Sequence, residues 1–128
     1  MKVLKFGGTS VGSPENMRAV MKLVADGEQK IVVLSAMSGT TNSLVEISNY
    51  LHKKNKDTAL INIGKLEAKY KKVVNDLYVT EKSKKEGLEI LKHSFDTLKS
   101  FTSGKFDIVG ENTILDSAFH CFDERKRI

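Results

Sequence analysis

The feature that most constrains the fold is the alternation of strand-like and helix-like segments within the first fifty residues. Residues 1–6 alternate as in a short strand, and residues 31–34 form an unbroken apolar run. Between them, a glycine-rich turn at 7–12 leads to a helix start, with Ser13 as predicted N-cap and Pro14 in the first helical position. Strand, helix and strand in this order form a β-α-β unit, whose strands are parallel. The sequence therefore predicts an α/β fold in which residues 31–34 are buried on both faces of a sheet.

Apolar residues at helical spacing predict four helices before residue 104. Their inward positions are Met17, Val20, Met21 and Val24; Leu44, Ile47 and Leu51; Leu60, Ile63, Leu66, Tyr70, Val73 and Leu77; and Leu88, Leu91, Phe95, Leu98 and Phe101. The last two helices, with Thr80 as N-cap of the second, predict a helical hairpin inserted at about 57–101. A third strand is predicted at 105–109, and a last helix from about 113. Residues 1–128 are predicted to form one domain unit.

Composition narrows the classes of function. The chain has 128 residues, of which 40% are hydrophobic and 29% charged, as in a soluble single domain. No apolar run approaches the roughly 20 residues that cross a bilayer, and no signal peptide is recognisable. The single cysteine, Cys121, cannot form an internal disulfide, which favours the cytoplasm. The net charge is +5, but the lysines alternate with acids at helical spacing and few aromatics accompany them, so no nucleic-acid partner is predicted.

Three polar or glycine-rich loops follow the three predicted strands. They are Gly7–Gly12, Ser35–Asn42 and Gly110–Glu111. Ligands of open α/β sheets bind at the carboxyl ends of the strands, so these loops predict a site. Consecutive glycines allow a ligand to approach the backbone closely, and Lys5 on the preceding strand could reach a bound phosphate. The spacing matches neither the Walker loop nor the dinucleotide fingerprint.

Each loop also has a structural interpretation. The first could be only a tight strand-to-helix turn, which spacing alone favours. The second could serve helix capping, with Thr40, Thr41 or Asn42 as N-cap. Glu111 could bind a substrate ammonium group or be an exposed loop residue, and the latter is commoner. No metal site is predicted, because the three histidines are far apart in sequence.

The segments KFGGTSV at 5–11 and VVLSAMSGTTN at 32–42 together resemble the opening of an aspartate kinase. The resemblance implies the amino-acid-kinase fold, a three-layer α/β/α sandwich around a mainly parallel sheet, of which this chain would be an incomplete N-terminal part. It also implies transfer of the γ-phosphoryl group of ATP to the side-chain carboxylate of L-aspartate. That reaction is the first step toward lysine, threonine and methionine.

The resemblance assigns roles to individual residues. Those assigned to ATP are Lys5, Gly7, Gly8, Thr9, Ser10 and Ser35, with Lys5 also catalytic; those assigned to aspartate are Ala36, Gly39, Thr41 and Glu111. Mg²⁺ is expected to be held mainly through the phosphates. Family members run to several hundred residues and the full-length protein is expected to be a homo-oligomer, so we expect this chain alone to be truncated and inactive. The alternative is a non-catalytic module of the same ancestry that binds an anion or a partner.

Overall fold

The computed structural model describes residues 1–103, which contain two strands and four helices. In chain order they are β1 (Lys2–Phe6), α1 (Pro14–Val24), β2 (Lys30–Leu34), α2 (Thr40–His52), α3 (Lys56–Leu77) and α4 (Glu81–Ser103). The predicted strand at 105–109, the Gly110–Glu111 loop and the last predicted helix lie outside the described residues. Within them, the α/β class is confirmed.

The β-α-β unit forms as its sequence predicts. β1 and β2 pair in parallel, with Lys5 opposite Val33 and Phe6 opposite Leu34. The Ser13 side chain accepts a hydrogen bond from the Asn16 backbone N–H at 3.2 Å, which satisfies one of the free donors at the start of α1. Because the strands are parallel, the loops that follow them leave the same edge of the sheet.

The prediction that β2 is buried on both faces is wrong for the part of the chain that the structure describes. Residues Ile31–Leu34 keep between 37% and 47% of their surface exposed. A strand is buried on both sides only when other strands flank it and helices cover both faces. Here β2 has a single described neighbour, β1. The buried face of α1 is also narrower than predicted, because Val20 is buried while Met21, another predicted inward residue, is 58% exposed.

The hydrophobic core lies among the helices rather than on the sheet. It joins α2, α3 and α4 through Leu44, Ile47, Leu51, Ala59, Ile63, Leu66, Val74, Leu91, Phe95 and Leu98. Phe95 is fully buried and meets the Tyr70 ring edge-on, with 6.0 Å between ring centroids. The helical hairpin is confirmed, although Leu60 in its predicted stripe is 41% exposed. Thr80 caps α4, since its hydroxyl accepts from the Ser83 backbone N–H at 3.2 Å.

A charged contact also joins the two helices of the hairpin. The Glu67 carboxylate of α3 accepts from Lys71 at 3.0 Å and from Lys99 of α4 at 2.9 Å, and its side chain is only 15% exposed. Burial raises the pKa of Glu67, but the two ammonium groups together lower it by more than burial raises it. The pKa of Glu67 therefore lies below the ordinary value of 4.5. The ionised carboxylate is therefore the form that the folded chain stabilises.

This geometry predicts a pH-dependent effect of Glu67→Gln. Because the folded pKa is depressed, the contribution of Glu67 to stability is present above its unfolded pKa and is lost as the pH falls through the folded pKa. We expect the variant to lower the free energy of unfolding by about 1 kcal/mol at neutral pH, and by progressively less as the solution is acidified below 4.5. Urea unfolding at neutral pH and at a pH below 4.5 measures this loss, with Glu86→Gln on the exposed surface of α4 as control. A loss that is equal at both pH values would contradict a charge-based role.

Candidate functional site

The loops that follow β1 and β2 are in direct contact. The Ser38 backbone N–H donates to the Gly8 carbonyl at 3.1 Å, and the Ser35 N–H donates to the Phe6 carbonyl at 3.0 Å. The first bond joins loop to loop, and the second continues the strand pairing into the loops. The structure therefore brings the two predicted loops together at the carboxyl ends of the strands.

Gly8 makes this contact possible. A Cβ atom at residue 8 would lie 3.0 Å from the Ala36 carbonyl oxygen and 3.3 Å from the Ser38 backbone nitrogen, so a side chain there would require the second loop to shift by a few tenths of an ångström. Gly7 is different, because a Cβ atom built on it meets no described atom within 4 Å. The two adjacent glycines thus differ: Gly8 packs against the second loop, whereas Gly7 is exposed among the described residues.

The first loop is also a tight turn. The Val11 N–H donates to the Gly7 carbonyl at 3.3 Å, the Gly12 N–H donates to the Thr9 carbonyl at 3.2 Å, and the Asn16 side-chain amide donates to the same Thr9 oxygen at 2.9 Å. These bonds fasten the loop to the start of α1. Thr9 and Ser10 remain exposed. The first loop is therefore a tight turn, as its structural interpretation predicts, and Gly7, Thr9 and Ser10 are exposed among the described residues.

The second loop does not cap its helix as predicted. Gly39 is the N-cap of α2, has a φ of 86° and makes no side-chain capping bond, so the prediction of Thr40, Thr41 or Asn42 as N-cap is wrong. The hydroxyl of Thr40 is instead buried, 2.7 Å from the Tyr70 hydroxyl. A glycine is favoured at residue 39, because few other residues adopt a positive φ without strain.

Two residues of α3 reach the second loop, and the sequence analysis assigned neither to the site. The Lys69 ammonium donates to the Ser38 carbonyl at 2.9 Å. The Tyr70 hydroxyl bonds Thr40, and burial raises the pKa of Tyr70 more than its hydrogen bonds with Thr40 and the Met37 backbone lower it. The apolar stripe places Tyr70 on the inward face, but nothing in the sequence indicates what its hydroxyl contacts. No local pattern separates Lys69 from the other lysines of α3.

The remaining predicted site residues are less closely joined. Lys5 is exposed near the carboxyl end of β1, and its side chain forms no hydrogen bond or ion pair within residues 1–103, so side-chain contacts do not link it to the loops. Ser35 and Thr41 are exposed, and Ala36 is half-buried beside Gly8. Glu111 lies outside the described residues.

Residues 1–103 contain neither a metal-binding cluster nor a membrane-spanning helix. No group of three histidine, cysteine, aspartate or glutamate side chains is placed to hold a metal ion in this part of the chain. Among the helices described, none has the length and apolar character required to cross a membrane.

Comparison with known proteins places the chain in a family. A sequence model described as the Amino acid kinase family matches residues 1–112. The chain is 37% identical over 102 residues to "Putative inactive aspartokinase 3" of Haemophilus influenzae, covering 79% of this chain and 68% of that protein. It is 31% identical over 119 residues to an aspartokinase of Chlamydia trachomatis, covering 93% of this chain but only 26% of that protein. An aspartate kinase of Pseudomonas fluorescens is 50% identical over 50 residues, which is 36% of this chain and 12% of that protein.

These matches confirm the resemblance to aspartate kinases that the motifs at 5–11 and 32–42 indicate. The chain belongs to the amino acid kinase family.

Proposed function

We propose that this chain carries the phosphate-contacting and aspartate-contacting part of an aspartate kinase. In the reaction, a side-chain carboxylate oxygen of L-aspartate attacks the γ-phosphorus of ATP, and the bond from that phosphorus to the β,γ-bridging oxygen breaks. The products are 4-phospho-L-aspartate and ADP. The observation that supports this proposal most is the loop-to-loop contact, in which the Ser38 N–H bonds the Gly8 carbonyl at 3.1 Å beside an open Gly7 backbone.

The residues around that contact suit phosphoryl transfer, which depends on positioning and on neutralising negative charge. The open backbone at Gly7 admits close approach of a phosphate, and the Lys5 ammonium, with no partner among residues 1–103, is available to neutralise its charge. In this proposal Thr9, Ser10 and Ser35 supply further donors to ATP. Bound Mg²⁺, held mainly through the phosphates, would neutralise part of their charge.

The aspartate substrate would lie against the second loop. Gly39 and the exposed Thr41 stand at the start of α2, where free backbone N–H groups favour a carboxylate. Ala36 would line the same place, and Glu111 would hold the substrate ammonium group. The exposed residues of β2 support the further proposal that the complete domain is a three-layer α/β/α sandwich, since such a sheet would cover them. We also propose that the full-length protein is a homo-oligomer.

A binding experiment on the chain itself tests the proposal. We expect Mg·ATP to shift the amide NMR signals of residues 7–12, and L-aspartate to shift those of residues 39–42. Lys5→Met should weaken Mg·ATP binding by about tenfold, the equivalent of one charge-assisted hydrogen bond. Lys2→Met, at the opposite end of β1, is the matched control and should change it less than about twofold. If neither ligand shifts either loop, the proposed function is wrong.

Turnover by this chain alone should be absent. The match covers only about a quarter of the Chlamydia aspartokinase. We propose that the rest of such a kinase contributes to the nucleotide site, and that without it the positioning that supplies much of the rate is lost. A coupled ADP-release assay with aspartate, ATP and Mg²⁺ measures this. Aspartate-dependent ADP release would contradict the expectation of inactivity while supporting the kinase assignment.

The second candidate is a non-catalytic module that binds an anion or a partner. Among residues 1–103 the apolar residues of β2 are exposed, which favours this candidate because an exposed strand invites association. The Haemophilus relative also carries the word inactive in its name. The same NMR titration discriminates between the two. Shifts with inorganic tripolyphosphate but none with L-aspartate would support the module.

A further inference from the structure

We propose that Lys69 and Tyr70 of α3 are positioning residues that hold the second loop in place for the ligand. The proposal gives the helical hairpin a role in the site. The proposal has two parts. The expected effect on the loop itself, the structural arm, is independent of the proposed function, whereas the expected effect on ligand binding, the ligand arm, rests on it.

Ser38 contacts both the first loop and α3. Its N–H donates to the Gly8 carbonyl at 3.1 Å, and its own carbonyl accepts from the Lys69 ammonium at 2.9 Å. Ser38 is therefore held on one side by the first loop and on the other by α3. Lys69 thus acts at the residue that joins the two loops.

Thr40 makes a second contact between the loop and α3. Its hydroxyl lies 2.7 Å from the Tyr70 hydroxyl, and Thr40 is 1% exposed. Ser38 and Thr40 flank Gly39, whose glycine backbone is the most conformationally free point of the loop. Two consecutive residues of α3 thus fix both sides of the position where the loop could most easily change conformation.

Tyr70 is itself held by the helical core. Its ring packs edge-on against Phe95 of α4, which is fully buried in the helical core. The loop is therefore connected to the hydrophobic core of the described residues. In the part of the chain that the structure describes, the sheet gives weaker support, because most residues of β1 and β2 are exposed. This arrangement indicates that the hairpin, rather than the sheet alone, determines where the loop stands.

Amide hydrogen exchange measured by NMR tests the structural arm. The reporters are the Ser38 and Thr40 amides, which bond the Gly8 and Met37 carbonyls, both at 3.1 Å. We expect Lys69→Met and Tyr70→Phe to accelerate exchange at these amides by about fivefold, the effect of one lost hydrogen bond. Exchange at the buried Leu66 amide should remain unchanged. Lys69→Arg keeps a donor and should restore most of the protection at Ser38.

Two matched controls isolate the contacts. Lys72→Met removes an exposed lysine of the same helix, and Tyr50→Phe removes the hydroxyl of another half-buried tyrosine; neither side chain bonds a group in the described part of the chain. Both should leave the loop amides unchanged. Exchange at Ser38 and Thr40 within twofold of wild type in both test variants would overturn the proposal. Equal acceleration at Leu66 would overturn it too, because that result reports general destabilisation.

The ligand arm uses L-aspartate as the probe. If the loop holds the substrate, Tyr70→Phe should weaken aspartate binding by about fivefold, while Tyr50→Phe should not. A wild-type chain that binds no aspartate contradicts the proposed function, and the exchange comparison still decides the positioning role. A wild-type chain that binds aspartate with an affinity unchanged by Tyr70→Phe overturns the link between positioning and ligand.

Discussion

Replacing Ile63 by alanine is expected to lower the free energy of unfolding by about 2–5 kcal/mol. Ile63 is fully buried in the cluster that joins α2, α3 and α4. The change removes three carbon atoms from a close-packed environment and leaves a cavity that its neighbours fill only in part. A loss of this size is a large fraction of the total stability of a typical domain.

The matched control for this change lies two residues away on the same helix. Ile61 is 58% exposed, and Ile61→Ala exchanges the same pair of residue types without opening a cavity. We expect it to change the free energy of unfolding by less than about 1 kcal/mol, because most of the side chain is already in water. Urea unfolding followed by circular dichroism measures both variants. Similar losses for the two would show that the core does not lie where the structure places it.

The position of this core explains why some predictions from the sequence succeeded. Capping by Ser13 and Thr80 depends on backbone donors only three residues away, so local sequence determines it. Parallel pairing of β1 and β2 follows from the helix between them. Helical spacing located Ile63 and Phe95, because the residues of a repeating apolar face become buried together.

Other features depend on groups that are distant in sequence. The Lys69–Ser38 and Tyr70–Thr40 contacts join residues 31 and 30 positions apart, and they depend on how α3 docks beside α2. Spacing along the chain carries no information about that docking. The burial predicted for β2 failed for a related reason, since burial of a strand depends on neighbours that its own sequence does not specify.

The second large effect is expected from Gly8→Ala. Its new Cβ atom would stand 3.0 Å from the Ala36 carbonyl oxygen, and neither that backbone group nor the nearby Ser38 nitrogen can move without shifting the second loop. Because overpacking of this kind costs about 1–3 kcal/mol, we expect a loss of that size in the free energy of unfolding. The Ser38 bond to the Gly8 carbonyl should lengthen or break, and Mg·ATP binding should weaken by at least about tenfold, since the phosphate-contacting backbone moves with it.

Gly7→Ala is the matched control for Gly8→Ala. It makes the same chemical change one residue earlier, where the added Cβ atom meets no described atom within 4 Å, and neither glycine has a positive φ. Backbone entropy is therefore affected similarly in both variants, and the difference between them isolates the loop-to-loop contact. Gly7→Ala should unfold within about 0.5 kcal/mol of wild type. Equal unfolding free energies for the two variants would mean that the loops do not touch in solution, and the joint site proposed for phosphate and aspartate would then lose its structural basis.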